Sequence, residues 1–224
     1  MRVGFALSAL LVLAFSVPLR AEAPGTLMVL QVSARDIPGR VLAAMPDRFT
    51  LLEDGNVYVG GTSTAATARL EKNEIREIEK NIDRVRKIAG LGSQVTFGPG
   101  ELKQRLLVRK GRGLDITATG EPASAPPALR PLASLMADLA AFSHPALRPY
   151  RPAFFALSAR EGSLPGGCRS WAFAVPLALA LAAPQPVAAA AAERWPTGAE
   201  PASVCAADKH YVVTLRPLLP GEKP

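Results

Sequence analysis

The order of apolar and polar positions divides the chain into short strand-like runs and two amphipathic helices. TLMVLQVSA at 26–34 is almost continuously apolar and reads as a strand. RDIPGRVLAAMP at 35–46 follows as a connector. Asp54-Gly55 then stands between two β-prone runs, 49–52 and 56–59. Asp-Gly accepts the positive φ values of a tight turn, so this stretch predicts a hairpin. The period changes in LEKNEIREIEKNIDRVRKIAGL at 70–91. Ile75, Ile78, Ile82, Val85 and Ala89 recur at helical spacing and predict one apolar stripe on a helix over 70–89. Gly90 is placed to take a left-handed C-terminal cap, with Leu91 folding back onto the last turn.

The same layout comes a second time. KQRLLVRKGRGLDITATG at 103–120 holds two runs, 105–109 and 114–118, around a glycine-containing turn. ALRPLASLMADLAAF then predicts a helix over 127–142 that buries Leu129, Leu132, Leu135, Met136 and Leu139. Pro131 fits only in its first turn, where backbone N–H groups lack helical partners. HPALRPYRP at 144–152 reads as a proline-punctuated boundary. Beyond it, strands are expected at 153–159, 168–175 and 210–219, with an Ala-rich helix at 187–195. The expected fold class is α+β: an antiparallel sheet built from two hairpin-helix units, plus a C-terminal strand-rich module. Helices 70–89 and 127–142 are expected to pack on the sheet through Ile78, Ile82, Leu132 and Leu135.

The N-terminus adds a compartment. Arg2 precedes a 15-residue apolar run at 3–17, Pro18 breaks it, and Ala21-Glu22-Ala23 supplies the small-x-small pattern of a cleavage site. This is the layout of a secretory signal peptide over 1–23, and the run is short for a membrane span. The expected organisation is therefore a signal peptide at 1–23, a hairpin-helix module at 24–143 and a second module at 144–224. Export to the periplasm or the extracellular medium follows. Residues 171–192 carry no charge, but Pro176, Pro184 and Pro186 interrupt them, so no transmembrane span is expected in the mature chain. The chain has 26 Lys and Arg against 19 Asp and Glu, a net charge of +7. These charges are dispersed rather than gathered into a stripe, which argues against nucleic acid as a partner.

Candidate chemistry centres on two cysteines, Cys168 and Cys205, and two histidines, His144 and His210. In an exported chain the two cysteines pair most simply as a disulfide. Closing a loop of that length stabilises the fold by about 4 kcal/mol in the chain-entropy model. Two other readings of VCAADKHY remain: one corner of a zinc site, or a Cys205–His210 dyad. Zinc sites usually place ligands in close pairs, and the cysteines lie 37 positions apart. A dyad needs a free, activated thiolate. His144 reads as a surface residue of the proline-rich stretch.

Nucleotide-binding, zinc-protease and serine-hydrolase signatures are absent. GLGSQVTFGPG at 90–100 has glycines without the dinucleotide spacing and reads as a loop. RKGRG at 109–113 could grip phosphate, but a solvent-facing hairpin turn accounts for it. Glu53, Asp54 and Asp115 are not paired by spacing as acid and base. Trp171 and Trp195 fit core packing better than a ligand platform. No catalytic residue, metal ligand or cofactor is therefore assigned.

Whole segments resemble an uncharacterised group of exported bacterial proteins: PDRFTLLEDGNVYVGG at 46–61, APPALRPLASLMADLA at 125–140, PYRP at 149–152, and YVVTLRPLLPGE at 211–222. The hairpin-helix part is also similar to small bacterial domains of unknown function. The resemblance implies turns and strand ends in common, and no activity. The expected role is that of an exported non-enzymatic protein that binds another protein or a cell-envelope polymer. The alternative is a secreted hydrolase-type enzyme whose site is assembled from scattered residues.

Overall fold

Local sequence and long-range pairing together give two antiparallel-type sheets, with helices on one face of the larger sheet. A computed structural model describes residues 25–34, 48–60, 65–164, 166–193, 195, 201–206 and 208–224. The expected signal peptide at 1–23 and the connector at 35–46 lie outside these residues.

The first sheet has eight strands. They are β1 (Thr26–Ala34), β2 (Phe49–Leu52), β3 (Asn56–Val59), β4 (Ala66–Arg69), β5 (Gln94–Thr96), β6 (Leu102–Val108), β7 (Leu114–Thr119) and β8 (Arg148–Pro149). Their order is β5-β7-β6-β1-β2-β3-β4-β8, and every pair is antiparallel except β5–β7. The two hairpins, β2–β3 and β6–β7, thus flank β1 at the centre. Gly55 takes φ 84 in the first turn, and Asp54 Oδ1 accepts the N–H of Asn56, as the Asp-Gly pair requires. A side chain at Gly55 would also meet the Leu70 carbonyl at 3.2 Å.

Helix α1 (Lys72–Arg86) begins at a capping box: the Glu71 side chain accepts the N–H of Glu74, whose own side chain accepts the N–H of Glu71. Helix α2 (Arg130–Ala140) has Pro131 in its first turn, as expected. Both helices bury their apolar faces against one face of the sheet. Ile82, Val85, Leu132, Leu135 and Met136 join Met28, Leu30, Phe49, Val57, Leu106 and Ile116 in a continuous core. Ile78 packs at its margin. Arg48 binds α2 to the sheet: its side chain donates to the carbonyls of Ala140 at 2.5 Å and Gly60 at 3.0 Å. A cation on the last carbonyls of a helix is favoured by their partial negative charge.

The second sheet has four strands in the order β10-β9-β12-β11, all antiparallel: β9 (Phe154–Glu161), β10 (Gln185–Ala188), β11 (Ala202–Ala206) and β12 (Lys209–Pro217). Short helices α3 (Leu177–Ala182) and α4 (Ala189–Ala192) cover it. Its core gathers Leu157, Phe173, Val187, Trp195, Val204, Val213 and Leu215.

Several expectations change. Helix α1 stops at Arg86, because the N–H groups of Lys87 and Ile88 turn back to carbonyls three residues earlier. Gly90 is left-handed at φ 67, but it lies beyond that end. The stretch 168–175 is not a strand; only Arg169 bridges to Val204. Val187 belongs to β10, so the Ala-rich helix shrinks to four residues. Inside 144–152, Arg148–Pro149 pairs with β4, so this stretch extends the first sheet instead of merely linking modules. The glycine-rich 90–100 stretch contains β5. No helix among the described residues is long and apolar enough to cross a membrane.

Candidate functional site

The face of the first sheet opposite the helices carries a polar trough at its β5-β7-β6-β1 side. Side chains alternate across a strand, so residues at i and i+2 share a face. Gln31 and Ser33 on β1, Lys103 and Arg105 on β6, and Asp115 and Thr117 on β7 therefore stand in register on one face. The pairing sets Gln31 opposite Arg105, Ser33 opposite Lys103 and Arg105 opposite Thr117. Ser93 and Gln94 complete the wall, and the trough encloses about 520 Å³. Strand spacing makes it roughly 14 Å across four strands.

The charges in the trough are arranged. Arg105 grips Asp115 with two parallel bonds, Nε to Oδ1 at 2.8 Å and Nη2 to Oδ2 at 2.7 Å. This fork geometry holds the guanidinium plane still. The hydrogen bonds from Arg105 keep the Asp115 carboxyl below its ordinary value, against a smaller opposing effect of burial. The same bonds raise Arg105. Lys103 makes no ion pair among the described residues, so its ammonium is the free positive charge of the trough. Ser33 is mostly buried and donates its hydroxyl to the Lys103 carbonyl at 3.4 Å.

The other sequence candidates fall elsewhere. Cys168 and Cys205 lie at disulfide distance, with Cα atoms 5.5 Å apart. Cys205 is inside β11, directly opposite His210 on β12, and its Sγ is 3.4 Å from His210 Nδ1. His144 is not a free surface residue. Its Nδ1 accepts the N–H of Ala146 at 3.1 Å, so its Nε2 carries the proton that points to Glu74 Oε1 at 3.1 Å. It ties the segment after α2 to the capping residue of α1. The RKGRG turn is pinned to α1 as well: Arg86 donates to the carbonyls of Lys110 and Arg112, and Lys110 pairs with Glu79. Asp54 is engaged by Asn56, and Asp115 by Arg105, so the named carboxylates are not brought together. Trp195 is 3% exposed and packs on Phe173, which in turn meets Trp171.

The sequence alone does not single out the trough. Its sequence signal is the polar alternation in QVS, KQR and DIT, but only the non-local strand order puts these three stretches side by side. A scan against family models and searches of curated proteins and of solved structures found no match to this chain.

Proposed function

We propose that this is an exported binding protein that holds an acidic glycan of the cell envelope in the trough of the first sheet. One observation carries the reading: a row of amide and hydroxyl groups flanks Lys103, a cation with no ion pair among the described residues, beside the immobilised Arg105. Gln31, Ser33, Gln94 and Thr117 suit sugar hydroxyls, and Lys103 suits a carboxylate or phosphate on the same polymer. No aromatic side chain among the described residues lines the trough, which favours charge and hydrogen bonding over ring stacking as the source of affinity. The disulfide distance between Cys168 and Cys205 fits a compartment in which disulfides persist.

The hydrolase alternative finds less support here. Among the described residues Asp115 is the only carboxylate that lines the trough, and its pairing with Arg105 favours the ionised form. A general acid needs the opposite shift. Direct titration with a uronic-acid polymer tests the reading. Wild-type protein should bind, and affinity should fall as salt rises. Lys103→Glu should lower affinity at least tenfold, and a neutral glucan should not compete. Equal binding of acidic and neutral polymers, or by Lys103→Glu, contradicts it.

A further inference from the structure

The ligand atoms of Cys168, Cys205 and His210 all lie within 4.8 Å of one another. We infer that, once the Cys168–Cys205 bond is reduced, these three side chains form a binding site for a thiophilic divalent cation of the zinc class. The inference is independent of the trough.

Three features support it. Zinc lies about 2.3 Å from a thiolate and about 2.0–2.1 Å from an imidazole nitrogen, so the sulfur–nitrogen edge of a zinc tetrahedron is about 3.5 Å. Cys205 Sγ and His210 Nδ1 already stand at 3.4 Å, because a cross-strand pair of β11 and β12 holds them face to face. The cysteine backbones are also tethered without the disulfide. The N–H of Arg169 donates to Ser203 O at 3.0 Å, and the N–H of Cys205 donates to Arg169 O at 2.9 Å. Cutting the sulfur–sulfur bond therefore leaves the two Cα atoms neighbours, and side-chain rotation can part the sulfurs to the sulfur–sulfur edge of about 3.8 Å. Finally, Cys168 and His210 are exposed, which gives a reductant and then an ion access to the site. Exposed disulfides are the more labile kind.

The chemistry balances. A dithiol reductant gives two electrons and two protons to the disulfide, leaving two cysteine thiols and the oxidised reductant. The cation then takes two thiolates and the neutral Nδ1 of His210, releasing two protons, and solvent fills the fourth position. The disulfide thus gates the site: the oxidised protein holds a staple, the reduced protein an ion.

Cobalt(II) is a suitable probe, because thiolate ligation gives a near-ultraviolet charge-transfer band. Full-length protein, reduced and kept anaerobic, should take one equivalent with that band, and oxidised protein none. His210→Ala should weaken binding at least tenfold, while His144→Ala should match wild type. Cys168→Ser should reduce the band. Circular dichroism on each sample reports the fold. If reduction unfolds the second sheet, cobalt should restore its signal. No band in reduced protein, no such recovery, or equal affinity of His210→Ala would overturn the inference.

Discussion

Tyr150 donates its hydroxyl to the carbonyl of Leu218 at 2.9 Å, and so joins the first sheet to the segment that leaves the second. Its backbone N–H bonds Ala65 O at 2.8 Å beside β4, and its ring meets Tyr58 edge-on at 4.9 Å. Tyr58 is on β3 and Leu218 follows β12. Arg216 and Glu222 fold the RPLLPGE turn over this point with a bond of 2.5 Å. Two segments distant in sequence therefore converge on the Tyr150 side chain.

Removing the hydroxyl should be felt as a lost hydrogen bond. Tyr150→Phe should lower unfolding free energy by about 1 kcal/mol, since the Leu218 carbonyl loses its partner in a half-buried position. Urea unfolding should show a lower midpoint at unchanged slope. An unchanged midpoint would mean that the bond contributes nothing to holding the sheets together.

The same tyrosine gives a pH dependence. Burial, with added repulsion from Tyr58 and Glu222, pushes Tyr150 up to about 12. Tyr58 is raised as well, chiefly by burial. A raised folded value means that the unfolded state loses its proton first. The associated stability is complete below about pH 10 and is lost as pH rises through the folded value. Phenolate absorbance of the folded protein should lag behind that of the unfolded protein. Tyr150→Phe should lose part of the late-titrating signal.

Asp115 acts at the other end of the scale, with the opposite sign. Its folded value is lowered, so its stabilising effect is present above the ordinary carboxylate range and fades as pH falls below it. Both partners are about half exposed, which limits the effect on stability to about 1 kcal/mol. Asp115→Asn should flatten the acid side of the stability profile slightly. Affinity for an acidic polymer should rise, because the trough loses a negative charge and the Arg105 guanidinium is released to meet the ligand.

Gln104 offers a contrast inside the core. It is 2% exposed on the helix-side face of β6, and its Oε1 has no hydrogen-bond partner among the described residues. An unsatisfied buried acceptor costs about 1–3 kcal/mol. Gln104→Met, nearly equal in volume, should raise the thermal midpoint. A fall on scanning calorimetry would show that the amide has a partner that matters.

Hairpin β2–β3 and both long helices are legible in sequence because their signals are local. Asp54-Gly55 fixes its turn alone, and Ile75, Ile78, Ile82 and Val85 mark one helix face within four turns. Strands β4, β5 and β8 are only two to four residues long, too short to display a period. They exist because neighbouring strands accept them. In the C-terminal part, Ala, Leu and Pro give apolar runs without a clear period, so 168–175 looks like a strand while Val187 looks helical. That Cys168 and Cys205 stand at disulfide distance is expected from the cysteine inventory together with the expected export. The trough is not, because Gln31, Lys103 and Asp115 meet only through the order β7-β6-β1.

Shift mapping by nuclear magnetic resonance tests the proposed binding role of the trough most directly. On adding a uronic-acid oligosaccharide, backbone and side-chain signals of Gln31, Ser33, Gln94, Lys103, Arg105 and Thr117 should move together and saturate. Signals of the second sheet, including those around His210, should stay. Shifts centred on the second sheet or on α1, with the trough unmoved, would contradict the account.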